Sequence, residues 1–209
     1  MRRGRFAVLA LLLSLPACAS VVPGFQEAAQ PAAAPDAGRV VLFTGLNWSG
    51  ESHRATGTDA LAQQIRRAGV PADVFRPGEW DRAATQLLAL RPPPAAIAVY
   101  GYSAGGPAAT RFLERVAGAG LRAETLLVLE SWRDATVPCG VGLALQYRLE
   151  DGGLLRAARP GCAEVHNELI HPDVASRGGG LGHLSVAADA MVMRMLLGEL
   201  VRDGGVRRR

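Results

Sequence analysis

The chain has no lysine: all 23 basic residues among its 209 are arginines. That one-sided usage reads as GC-rich coding and not as a phosphate-binding design. The formal net charge of +4 is no guide to partners either. Arg2, Arg3 and Arg5 crowd the N-terminus and Arg207-Arg208-Arg209 close the chain, so the stretch between them is close to neutral or slightly acidic. This excludes the basic footprint of a nucleic-acid binder. Cysteine is scarce, and His166 and His171 lack the spacing of a zinc site, so no metal is expected. The glycines of Gly178-Gly179-Gly180-Leu181-Gly182 follow no strand and lack the spacing of a dinucleotide fingerprint, which excludes a phosphate loop. No organic cofactor is expected. Long hydrophobic runs are missing too, since Phe6 to Leu15 is too short to span a bilayer as a helix. What remains is 49% hydrophobic and 20% charged, which suits a single folded domain with a proper core.

The first residues have the three parts of an export signal: a basic start, the apolar run and small residues at Ala17-Cys18-Ala19. The expected organisation is a signal peptide over 1–17, an Ala/Pro-rich tether over 18–38, a folded domain over 39–203 and a basic tail over 204–209. Leu15-Pro16-Ala17-Cys18 is similar to a bacterial lipobox, which makes Cys18 the acylated first residue of an envelope lipoprotein. Ala19 in place of aspartate resembles the sorting position of outer-membrane lipoproteins that face the periplasm. The alternative is cleavage after Ala17-Cys18-Ala19, which discards the cysteine and leaves a soluble periplasmic or secreted protein. Both routes lead out of the cytoplasm to an oxidising compartment, where Cys139 and Cys162 can pair as a disulfide. Closing that loop is worth about 3 kcal/mol in the chain-entropy account. The alternative is two buried thiols. A monomer is expected.

From Arg39 onwards, strand and helix signals alternate. "RVVLFTG", "PADVFRP", "AAIAVYGY", "AETLLVLES" and "AEVHNELI" read as strands. "TDALAQQIRRAG" reads as a helix with Thr58 or Asp59 as cap and Gly69 as stop, followed by helices in "EWDRAATQLLAL", "PAATRFLERVAGAG", "VGLALQYRLE" and "SVAADAMVMRMLLGELV". The alternation predicts an α/β three-layer sandwich whose mostly parallel sheet has five or six strands. Ligands then belong at the carboxyl ends of the strands.

Ser103 lies between Gly101 and Gly105, where an apolar strand gives way to a helical pattern. That is the layout of a nucleophile elbow, in which small neighbours allow a sharp strand-to-helix turn. A serine hydroxyl needs a base to take its proton, and the base needs a third group to hold it. His183 is the candidate base, because it follows the glycine-rich loop and precedes the last helix. His53, His166 and His171 read as surface or capping residues. Glu130, at the end of the strand after the elbow helix, is the candidate acid. Asp134 is its alternative, with Glu164, Glu168 and Asp173 as later candidates. An oxyanion hole needs two backbone N–H groups, expected from Ala104 and from Leu46 in the loop after the first strand. Trp48 and Trp132 follow strand ends and either wall a substrate groove or pack on the domain.

With these residues in hand, the chain resembles a compact α/β-hydrolase, and more narrowly small exported bacterial serine hydrolases of the lipase, esterase or thioesterase kind. In that group a first strand leads into a "G-L" turn and a "TG-x-D-x-LA" helix, matched here by Gly45-Leu46 and Thr56-Gly57-Thr58-Asp59-Ala60-Leu61-Ala62. A tryptophan such as Trp80 precedes the second helix, an "I-D-P"-like acid corresponds to Glu130, and a "V-P" segment leading to a helix with a tyrosine corresponds to Val137-Pro138 and Gln146-Tyr147. A "G-H" before the final helix matches Gly182-His183. Glutamate replaces the usual aspartate, and Ser131 replaces proline. Tyr102 stands where many members have histidine, as in the "G-Y-S" elbow of cutinases. The resemblance implies hydrolysis of a small-molecule or lipid ester or thioester through an acyl-enzyme. The alternatives are an amidase or peptidase with the same triad, and a non-catalytic envelope lipoprotein that uses the scaffold for binding.

The lipobox reading predicts that Cys18→Ser abolishes acylation in an expressing bacterium, measured by incorporation of labelled fatty acid. Unchanged processing and no label in the parent chain would assign cleavage to the A-x-A site instead.

Overall fold

The apolar runs and amphipathic stretches condense into a three-layer α/β sandwich in the computed structural model, which describes residues 29–32, 38–46, 56–149, 152–170, 181–201 and 206. The signal region with Cys18, the segment carrying Trp48 and His53, the segment carrying His171, Asp173 and Gly178-Gly179-Gly180, and Arg207-Arg208-Arg209 lie outside the described residues.

In chain order the strands are β1 (Arg39–Phe43), β2 (Ala72–Phe75), β3 (Ile97–Tyr102), β4 (Ala123–Leu129), β5 (Ala135–Val137), β6 (Val141–Arg148), β7 (Leu155–Ala157) and β8 (Glu164–Leu169). The helices are α1 (Gly57–Arg67), α2 (Trp80–Ala89), α3 (Gly105–Gly118) and α4 (Ala190–Val201). Six strands form the main sheet in the order β2-β1-β3-β4-β6-β8, with neighbours parallel, while β5 and β7 pair separately.

Side chains alternate across the sheet, as a period of two requires. Val40, Leu42, Tyr100 and Leu127 face the layer that holds α1 and α4, whereas Val41, Phe43, Val99 and Val128 face α2 and α3. Phe43 and Phe112 lie fully buried with ring centroids 5.5 Å apart. Each such side chain contributes about 1.5–3 kcal/mol by leaving water. No helix among the described residues is long and apolar enough to cross a membrane.

Several expectations change. Val141–Arg148 is a strand, β6, and not the predicted helix. Its residues 141, 143, 145 and 147 are Val, Leu, Leu and Tyr, alternating with Gly, Ala, Gln and Arg, and that period-two signal outweighs helix propensity when two strands stand ready to pair on either side. The cap of α1 is Thr56, one turn ahead of Asp59. Thr56 Oγ1 accepts from the Asp59 amide at 3.3 Å and Asp59 Oδ2 accepts from the Thr56 amide at 3.3 Å, a reciprocal box. The last helix starts at Ala190, five residues later than its pattern suggests, because Asp189 Oδ1 accepts from the amides of Met191 and Val192. At the two ends, Gln30 of the expected tether hydrogen-bonds the backbone of Ala72 on edge strand β2, and Val206 of the expected tail is buried at 4% exposure. Cys139 and Cys162 stand at disulfide distance, with Cα atoms 4.9 Å apart. They join the turn before β6 to the approach to β8.

The close approach that shapes the serine turn is at the end of β3. A Cβ on Gly101 would overlap the Gly105 carbonyl, and one on Gly105 would overlap the Phe43 carbonyl. Gly101→Ala and Gly105→Ala are each expected to destabilise the protein by roughly 3 kcal/mol, read from urea unfolding midpoints at unchanged slope. A loss below about 0.5 kcal/mol, the usual effect of a surface change, would contradict this tight packing.

Candidate active site

Strands β3 and β4 are parallel neighbours in which Tyr102 pairs with Leu129. One residue beyond that pair lie Ser103 and Glu130. Both adopt left-handed backbone, with φ of 54° and 51°, a conformation that costs a residue other than glycine of order 1 kcal/mol or more. Each makes one last ladder bond before turning: the Ser103 amide donates to Leu129 O at 2.9 Å, and the Glu130 amide to Tyr147 O at 2.8 Å. The strand ends therefore aim two polar side chains at the same space above the sheet edge.

His183 fills that space from the turn ahead of α4. Its Nε2 lies 2.9 Å from Ser103 Oγ, and its Nδ1 lies 3.1 Å from Glu130 Oε2. Glu130 is 4% exposed, and its other oxygen, Oε1, accepts from the Leu149 amide. Both carboxylate oxygens are thus engaged, as burial of a charge demands. Such a chain of hydroxyl, imidazole and carboxylate can move a proton from oxygen to nitrogen and hold the resulting imidazolium. The structure thus brings together Ser103, His183 and Glu130, the three residues singled out in the sequence.

Asp134, the alternative acid, is elsewhere. Its Oδ1 accepts from the Leu154 amide at 2.8 Å, and its Oδ2 lies 3.5 Å from Arg156. It fastens the entry to β5 onto the start of β7. Glu164 pairs with His166 at 2.8 Å on the outer strand β8. Glu168 lies opposite Tyr147 in the sheet. Burial, together with the carboxylates of Glu199 and Glu168, pushes the Tyr147 phenol up to about 12, so it remains a donor to Glu199 Oε1 at 3.1 Å. Among the described residues, no group of histidine, cysteine and carboxylate side chains is arranged to hold a metal ion.

Two contributors escaped the sequence reading. The Tyr102 hydroxyl donates to the His183 backbone carbonyl, and its ring stacks on the imidazole with centroids 5.6 Å apart. A tyrosine at the end of a buried strand, where its hydroxyl needs a partner, was the available signal. The second is the Leu149 amide, which no sequence pattern points to because it depends on the fold of the segment after β6.

Leu46 and Ala104 both line one groove of about 230 Å³ beside the serine. Among the described residues, no partner accepts from the amide of either. Trp80 and Trp132 form apolar walls, and Trp132 is 55% exposed. The groove sits beyond the ends of β1 and β3, where the chain's winding reverses direction, the usual place for a ligand in an open parallel sheet. No family model, no curated protein and no solved structure matches this chain.

Proposed function

We propose that the protein is a serine hydrolase that cleaves an ester or thioester through an acyl-enzyme. The observation that carries this reading is the continuous chain from Ser103 Oγ through His183 to the buried Glu130. The resemblance of the elbow and the Gly182-His183 step to those of small exported α/β-hydrolases points the same way.

In the first step Ser103 Oγ attacks the carbonyl carbon while its proton passes to His183 Nε2. Glu130 holds Nδ1–H and stabilises the imidazolium. The carbonyl oxygen becomes an oxyanion facing the Ala104 and Leu46 amides, two donors whose removal typically costs two to three orders of magnitude each. The tetrahedral intermediate then collapses: the bond to the leaving alcohol or thiol breaks, and His183 returns the proton to it. Water, deprotonated by His183, attacks the acyl-enzyme in the same way and releases the acid and the free serine. The signal-like N-terminus and the lipobox-like Cys18 support a cell-envelope location for this reaction, where a membrane would bring ester substrates within reach.

Ser103→Ala is expected to abolish fluorophosphonate labelling and to lower the hydrolysis of 4-nitrophenyl butyrate by about 10⁴-fold or more. Peptide mapping of the labelled parent checks the nucleophile directly, and an unmodified Ser103 in an active, labelled protein would refute the assignment. Glu130→Gln preserves side-chain shape but removes the charge, so kcat is expected to fall about 10³–10⁴-fold with KM little changed. A kcat within a few-fold of the parent would remove Glu130 from the mechanism.

A further inference from the structure

The groove beside Ser103 combines apolar walls with a charge of one sign. Arg111, on α3, and Arg133, in the loop after β4, both line it, and among the described residues no acidic one does. Neighbouring arginines are neutralised: Arg115, one turn further along α3, pairs with Asp81, and Arg82 pairs with Glu79 at 2.7 Å. Arg111 has no ion pair among the described residues. The Arg133 guanidinium lies over the Trp132 ring, 5.4 Å from its centroid, a contact that steers the group without consuming its charge. The nearest acid in sequence, Asp134, is committed to the Leu154 amide and Arg156.

We infer that this groove selects esters that carry an oxyanion, a carboxylate or a phosphate, on the part of the molecule lying along Trp80 and Trp132. The inference rests on the serine-hydrolase reading and adds the substrate class. The fit is chemical. Tryptophan walls take up a short apolar or aromatic segment, and guanidinium groups present forks of N–H donors matched to the oxygens of carboxylate or phosphate. Ala104 and Leu46 bound the same groove, so an ester carbonyl held by their amides leaves the rest of the substrate pointing towards the arginines. A groove of about 230 Å³ accommodates a segment of several carbons, not a long acyl chain.

The test compares esters that differ in charge alone at one end. On the acyl side these are 4-nitrophenyl hexanoate and mono-4-nitrophenyl adipate. On the alcohol side they are phenyl acetate, 4-acetoxybenzoate and 4-acetoxyphenyl phosphate. Each kcat/KM is divided by the same ester's rate with hydroxide, which removes intrinsic reactivity. In at least one series the anionic member is expected to be favoured about tenfold or more, with the preference shrinking as salt is added. The third alcohol-side ester tells phosphate from carboxylate. In Arg111→Gln/Arg133→Gln the anionic-to-neutral ratio is expected to fall towards one. In Arg111→Glu/Arg133→Glu it inverts. Because both esters are measured on one preparation, any loss of folded protein cancels from the ratio. A neutral preference in both series, or an anionic preference that survives the double substitution, overturns the inference while leaving the hydrolase intact. Failure of the parent to cleave any of the five esters or to take a fluorophosphonate label overturns the hydrolase reading, and this inference with it.

Discussion

Tyr102 and Leu129 sit opposite one another in neighbouring parallel strands, and the arrangement at the sheet's carboxyl edge depends on that pairing. Parallel strands run about 4.8 Å apart. Residues one step beyond a matched pair therefore emerge at nearly that separation, and if both side chains turn upward the gap between their tips is one that a single imidazole bridges. Slipping β4 by one residue against β3 would turn Glu130 towards a different layer and reverse its core-facing side chains. Leu126, Leu127, Val128 and Leu129 are all 0% exposed, so that slip would displace four buried side chains. The register that packs the core is the register that aligns the candidate site.

The same geometry explains where strain is tolerated. Left-handed φ at Ser103 and Glu130 works against folding, yet both residues are held by a ladder hydrogen bond on their N-terminal side and by burial. Gly101 and Gly105 remove the side chains that would otherwise block the turn. Two of the three polar groups thus stand on rigid strand ends. His183 comes instead from a turn, and its side chain is 37% exposed. The Tyr102 hydroxyl ties the His183 carbonyl to the strand just ahead of Ser103. The least rigid member is thereby fastened to the most rigid one, within one residue of the group it must meet.

Those physical differences also separate what the sequence discloses from what it conceals. The elbow was legible because a tight strand-to-helix turn leaves a local record, with glycines two residues either side of Ser103. The layered α/β architecture was legible from alternating periodicities. The nature of β6 was missed because its apolar content suits a helix as well as a strand, although its strict alternation favoured the strand. A place at a strand end favoured Glu130 over Asp134, but the sequence could not decide between them. Four residues separate them, and only the register of β4 and the loop bonds of Asp134 to Leu154 and Arg156 distinguish a carboxylate turned to His183 from one that fastens a loop. Tyr102 fell between these cases: its burial was predictable, but its partner lies 81 residues away.

Helix α3 shows how one short element serves several of these demands. Its axis begins at the elbow, directly after the Ala104 amide, and its first residues supply the backbone that Gly101 and Gly105 allow to come close. Residues three and four apart share a helix face. Ala104, Pro107, Ala108 and Arg111 therefore form one continuous wall of the groove, while Ala109, Phe112, Leu113 and Val116 turn to the core at 2% exposure or less. One turn beyond Arg111, Arg115 continues the outer face and reaches Asp81 at the start of α2. That ion pair marks the end of the groove's unneutralised charge. A helix whose inner face fixes the sheet and whose outer face carries first an amide, then apolar surface, then a guanidinium sets the order in which those chemistries follow one another, counted outward from the serine.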